Sequence, residues 1–357
     1  MQNHMVSPEA GTLCQEEEKK MEQSKKNTTI ILMLGILLII TVIISFRLGR
    51  YPIFTRELLG ILLSKVFPIE QFWSNRIETV LINIRLPRII LACMVGCCLS
   101  AAGVAYQGVF QNPMAAPDIL GASAGAAFGA ALAVLLYGSS YLITVSAFSF
   151  SLLTVFLVYL ISKKARGKSI LGLILSGIMV SSLFSAGTSF IKLIADPNDQ
   201  LPAITYWLMG SLSGAKLDDI KFAFLPMAIG IIPLLLLRWR LNVLTMGDDE
   251  ARTMGVNSNK IRLIVIICAT FVTAASVSVS GMIGWVGLVI PHLARRLTGN
   301  DYRYLMPASM LFGAIFLLLV DNVSRNLLTT EIPLGILTAF IGAPFFIYLI
   351  TRKGEAN

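Results

Sequence analysis

The residues of this 357-residue chain that could do chemistry are few and fall in small groups. Arg85 and Arg88, in Arg85-Leu-Pro-Arg88, put two fixed positive charges at one mouth of an apolar helix. The same helix leaves through a proline-broken turn, Gln111-Asn-Pro-Met-Ala-Ala-Pro-Asp-Ile-Leu-Gly121. A chain that only sits in lipid has use for neither feature, whereas one that opens and closes a path has use for both. Ser162-Lys-Lys-Ala-Arg-Gly-Lys-Ser169 lies one residue from the phosphate-loop pattern, with Ser162 where the first glycine belongs. A phosphate loop joins a strand to a helix in an α/β unit. This run instead joins two apolar segments, and its four basic residues without an acid suit an inside loop, so no nucleotide site is expected.

Cys93 and Cys97, four apart, share a helix face, and Cys98 adjoins them. Two thiols so placed suit a soft metal, but buried cysteine also behaves as a small hydrophobe, and apolar packing is the reading adopted. Cys14 and Cys268 have no evident partner, so no disulfide framework is expected. His292 is read as structural. No paired acids or Ser/His arrangement falls within the apolar runs. The chain is therefore expected to be non-catalytic, with no metal, no cofactor and no nucleic-acid partner.

The elements that must position these residues are membrane helices. Hydrophobic residues make up 55% of the chain and charged residues 14%, with a mean hydropathy of +0.76. A soluble chain carries roughly a quarter charged residues. Ten apolar runs recur, at 29–46, 89–109, 119–137, 142–161, 171–194, 222–237, 263–279, 282–293, 305–320 and 334–350. A crossing needs about 20 residues, so 282–293 is short and reads equally as a half-helix or re-entrant piece. Continuous runs, rather than alternating ones, exclude a barrel. An all-α polytopic membrane protein of about ten transmembrane helices is expected. It has a polar, disordered or weakly helical tail at 1–28, one membrane domain at 29–351, and a short tail at 352–357.

With ten crossings and the N-terminus inside, 18 of the 29 Lys and Arg residues lie on the cytoplasmic side, which favours both termini inside. The outer segment 47–88 breaks the bias with seven basic and three acidic residues. Such charges suit an acidic partner. The runs hold almost no ionisable residues, and Lys192, Asp118 and Asp321 stand near predicted ends. Ion-coupled transporters and pumps carry such groups inside their spans; here the energy for transport has to come from another chain. The runs carry small residues at helical spacing instead, Gly121, Gly125 and Gly129 on one face and Ala92, Gly96 and Ser100 on another, as close helix packing requires.

Between the sixth and seventh runs, residues near 241–256 read as a short amphipathic helix. Asp248 is its expected N-cap, Asp249 and Glu250 complement the dipole, Arg252 lies toward the far end, and Gly255 makes a left-handed stop. Leu241, Leu244 and Met254 are expected to fill a partner's groove.

Five blocks in order carry a resemblance that covers about residues 85–352. They are Arg85-Leu-Pro-Arg88; Gln107 through Gly121; Leu244 through Val256; Gly284-Trp-Val-Gly-Leu-Val-Ile-Pro-His-Leu-Ala-Arg295; and Glu331 through Phe345. Together they resemble the permease subunit of type II ABC importers, which take up ferric siderophores, haem and vitamin B12. The resemblance implies two permease copies (or a copy with a paralogue), two ATPase subunits and an extracytoplasmic binding protein, in a bacterial cytoplasmic membrane. It implies docking of that protein by Arg85, Arg88 and Arg325, and a cytoplasmic gate at Asn112 and Met114. The helix with Gly247, Asp248, Glu250, Ala251, Arg252 and Gly255 would couple to the ATPase. A ferric siderophore is the expected substrate, with haem or cobalamin as alternatives. An ion-coupled secondary transporter is the rival class.

Overall fold

Every one of the ten apolar runs becomes a helix. The computed structural model describes residues 8–49, 51, 53–64, 67–68, 70–164 and 170–354. Within these, α1 (Pro8–Arg47), α2 (Thr55–Ser64) and α3 (Asn75–Thr79) lead through a π-helical turn, Val80–Arg85, into α4 (Leu86–Val109). There follow α5 (Ala122–Leu135), α6 (Ser140–Lys164), α7 (Ile170–Ile194), α8 (Gln200–Leu208) and α9 (Leu217–Thr245). The last five are α10 (Asp248–Thr253), α11 (Ser258–Ser280), α12 (Val286–Thr298), α13 (Tyr302–Asn326) and α14 (Leu334–Gly354). Among the described residues, seven helical segments are long and apolar enough to cross a membrane; α5, at 14 residues, is apolar but shorter. The short run at 282–293 yields α12, whose 13 residues span about 20 Å at 1.5 Å each, less than a bilayer core.

Three features depart from the expectations. The polar tail is helical from Pro8 onward and continuous with α1. It is tied down where Asn27 Nδ2 donates to the Thr298 carbonyl at 3.0 Å and the Ser24 and Tyr304 hydroxyls meet at 2.6 Å. The helices α2, α3 and α8 are additional; at 10 residues or fewer they fall below any crossing-length pattern. The expected helix near 241–256 is two elements, because α9 continues to Thr245 before α10 begins. Residues 1–7, 355–357 and the 165–169 part of the near-phosphate-loop run lie outside the described residues.

Helix α4 is the axis of the bundle, packed by α13, α11, α12 and α9, while α5, α6 and α7 form a second layer joined to it through α11. α4 and α13 run antiparallel, in contact at Arg88 with Asp321, Gly96 with Gly313 and Gly108 with Tyr302. A Cβ on Gly96 would lie 2.2 Å from the Gly313 carbonyl oxygen, and one on Gly103 would lie 1.8 Å from that of Gly287 in α12. Only glycine lets backbones approach so closely. The second small-residue face behaves likewise, with Gly125 and Gly129 set against the Phe150 and Ser146 carbonyls of α6. Outward faces are apolar, as lipid requires: Leu32 and Met33 on α1, Leu183 and Leu193 on α7, and Leu236 on α9 are all exposed.

Substituting Gly103→Ala forces a methyl into the Gly287 backbone and should lower stability by about 1–3 kcal/mol. Gly35→Ala in α1, with nothing within 4 Å of the new Cβ, should be neutral or slightly stabilising, since alanine is the better helix former. Thermal unfolding of the two purified variants checks this, and equal behaviour would contradict the packing.

Candidate functional site

The two ends of the α4–α13 pair carry the candidate residues. At one end, Asp321 is completely buried on α13, where an unpaired carboxylate would be very costly. Arg88 Nε meets its Oδ1 at 2.8 Å, and Arg325 Nε, one turn along, lies 3.1 Å from its Oδ2. Arg88 Nη1 is held by both oxygens of Glu331, at 2.9 Å each. Asn322 on α13 accepts from Arg325 and donates to Ser45 of α1. The Arg85 guanidinium donates to the carbonyls of Phe46 and Tyr51, fastening the end of α1.

Arg85, Arg88 and Arg325 are 4%, 5% and 6% exposed. Each guanidinium of these three expected docking residues is turned inward onto groups of this chain. The reason is the carboxylate of Asp321 and the free carbonyls at the end of α1, which need donors that water does not supply there. Asp321 and Glu331 were not singled out as partners from sequence. A lone acid one turn before Arg325 was the available signal. Among the described residues, Arg47, Arg56 and Arg76 of the segment leading into α4 are exposed cations, with Arg56 over the Phe72 ring at 5.0 Å.

At the other end, the turn after α4 is built from local hydrogen bonds. Gln111 adopts φ 50°, and its amide donates to the Leu244 carbonyl at 2.6 Å, tying the turn to α9. Asn112 Oδ1 accepts from the Met114 amide at 2.9 Å, and both side chains are exposed. Asp118 accepts from the Ser123 amide at 3.0 Å, completing the start of α5. Asn242 on α9 donates to Asp301 at 2.7 Å and accepts from the Tyr302 amide at 2.8 Å. Partial burial opposes ionisation of Asp301, but hydrogen bonds from Arg303 and Asn242 outweigh it and hold the carboxyl below its usual range.

Helix α10 projects beside this turn. Its N-cap is Gly247, at φ 124°, rather than Asp248. Asp248 is instead the first helical residue and pairs with Arg262 of α11 at 3.0 Å. Asp249, Glu250 and Arg252 are exposed, Ala251 is buried, and Gly255 takes φ 74°, the left-handed stop. Leu241 and Leu244 are fully buried within the chain, so neither fills a partner's groove, while Met254 is half exposed. Both leucines belong to α9, whose inner face packs on the core. Among the described residues no group of three His, Cys, Asp or Glu could hold a metal, and Cys93, Cys97, Cys98 and Cys268 are free thiols.

The chain belongs to the FecCD transport family, whose model matches residues 37–352. It is 42% identical over 317 residues to the molybdate import system permease protein MolB of Haemophilus influenzae, covering 88% of this chain and 94% of that one. It is 41% identical over 278 residues to a Helicobacter pylori protein named "probable iron chelatin transport system permease protein", covering 78% and 84%. A solved structure described as a metal-chelate type ABC transporter in an inward-facing conformation superposes with a TM-score of 0.82 at 41% identity, covering 91% of this chain and 99% of that one.

Removing one partner of a buried ion cluster leaves uncompensated charge and costs about 3–5 kcal/mol. Asp321→Ala should accordingly collapse the apparent melting temperature. Glu331→Gln, at a partly exposed carboxylate, should cost about 1 kcal/mol or less. Thermal scans of the two variants test the ranking, and a reversed order would contradict the central place given to Asp321.

Proposed function

We propose that this chain is the permease of an ATP-driven importer that moves a ferric chelate into the cytoplasm. The observation that carries this reading is the joint similarity to the Helicobacter pylori iron chelatin permease and to the metal-chelate type transporter, each at 41% identity over most of the chain. The near-absence of charge inside the bundle supports an external energy source, because ion-coupled transport needs intramembrane ionisable groups. Here the buried ionic cluster of Arg88, Asp321 and Arg325 is already internally paired.

In this reading two ATPase subunits engage the exposed acidic turn of α10 (Asp248, Asp249 and Glu250), and Gly247 and Gly255 fix its ends. Asn112 and Met114, exposed on a turn pinned to α9, form the cytoplasmic gate. A second copy covers one of the exposed apolar faces. Both termini lie in the cytoplasm, and the subunit itself is non-catalytic. An extracytoplasmic binding protein docks at the Arg88 end. Arg85, Arg88 and Arg325 act there as the scaffold of the docking face, and Arg56 and Arg76 supply its accessible charge, which sets orientation and association rate. Molybdate is a second reading, favoured by the 42% identity to MolB across 88% of the chain.

Uptake of 55Fe-labelled hydroxamate and catecholate chelates, haem, cobalamin and 99Mo-molybdate in cells lacking and regaining this gene decides between them. Loss and rescue of a ferric chelate is the expected result. Loss and rescue of molybdate alone would replace it with the second reading. Gly255→Pro should uncouple ATP hydrolysis from uptake or release the ATPase, since proline is confined near φ −65° and this position sits at +74°. Unchanged coupling would remove α10 from its role.

A further inference from the structure

Beside the turn after α4 lies a cavity of about 520 Å³ whose lining includes Gln107, Gln111, Asn112, Arg295, Arg296 and Tyr302, and no carboxylate. Gln107 is 2% exposed, and among the described residues neither its amide nitrogen nor its amide oxygen has a hydrogen-bond partner. A buried amide that satisfies nothing is costly, and this one borders an open space. Arg295 lines the same space, and among the described residues its buried Nη1 has no hydrogen-bond partner. Arg296 is exposed at the edge, and among the described residues neither arginine is paired with a carboxylate. Asp301, the acid nearest in sequence, is engaged with Asn242 and Arg303.

Arginines in the last turn of a helix commonly offset its dipole, and Arg295 and Arg296 end α12. That account leaves Gln107 and the buried Nη1 unexplained. It also leaves charge over, because two guanidinium groups exceed the roughly half a negative charge at each of the α4 and α12 ends. Planar N–H donors lining one cavity together with an amide match an oxyanion of the phosphate type, which accepts several charge-assisted hydrogen bonds at once.

We propose that this cavity binds a phosphate-type oxyanion, either free or as the headgroup of an anionic lipid, with Arg295, Arg296 and Gln107 as its principal donors. Asn112 and Pro113 line the same cavity, so the bound anion ties the 111–114 turn to α12. The site is independent of which substrate crosses the bundle.

Equilibrium dialysis of the full-length chain in detergent against 32P-labelled inorganic phosphate, at fixed ionic strength, tests it. One saturable site per chain is expected. Arg295→Gln and Arg296→Gln should each weaken it about tenfold, the loss of one charge-assisted bond. Gln107→Leu should weaken it less, and Arg240→Gln, an exposed charge outside the cavity lining, should leave it unchanged. Arg296 is exposed, so its variant reports on binding even where Arg295→Gln fails to fold. No saturable binding, or equal weakening by Arg240→Gln and Arg296→Gln, would overturn the proposal. Displacement by short-chain phosphatidylglycerol, but not phosphatidylcholine, would support the site and assign it to a lipid headgroup. Retention against both would support it with free phosphate as the ligand.

Discussion

The structure depends on backbone-to-backbone contact along α4. Helices in lipid gain little from the hydrophobic effect against one another, so their association rests on close packing and internal hydrogen bonds. Gly96 against Gly313 and Gly103 against Gly287 bring α4 within carbonyl contact of α13 and α12. Once those backbones touch, the register of both pairs is set, and with it the alignment of Arg88 with Asp321. The apolar face that remains on each outer helix is left to lipid.

That packed axis separates two ends of different character. The Arg88 end is closed by ion pairs and by arginine donation to the carbonyls that finish α1. Such a cluster adds little net stability compared with a hydrophobic equivalent, but it is severe when broken. It therefore acts as a specifier of geometry more than as a source of stability. The α10 end is held by the bonds that Gln111 and Asn27 donate to the Leu244 and Thr298 carbonyls, by Asn242 between Asp301 and the Tyr302 amide, and by the Asp248–Arg262 pair. Gly247 and Gly255, both at positive φ, border α10 there, and the side chains of the 111–114 turn are exposed. Elements of that kind open at low cost, which fits the end where a gate and a force-receiving helix are proposed.

Much of this was legible in the residues because it depends on local properties. All ten apolar runs became helices, since a run of that composition has no other way to satisfy its backbone in lipid. The glycine faces at Gly96 and Gly125 packed as their spacing required, and Gly255 took the left-handed conformation expected of a helix stop. The failures share a cause. The inward turn of the Arg85, Arg88 and Arg325 guanidinium groups was not legible, because sequence shows a charge and its neighbours along the chain, not what it faces. Leu241 and Leu244 were given to a partner because nothing local distinguishes the last turns of α9 from a separate amphipathic helix.

The sequence by itself determined the class: helical, membrane-spanning, with few ionisable residues in its apolar runs, and carrying five ordered blocks of one permease family. Only the tertiary structure decided what the polar residues face. Asp321 and Glu331 lie 233 and 243 positions from Arg88, and Gln107 lies far from Arg295 along the chain. Hydropathy and helical period are properties of neighbours along the chain, so they can be read in order. Ion pairing and cavity lining are properties of neighbours in space, which exist only once α4, α12 and α13 have packed.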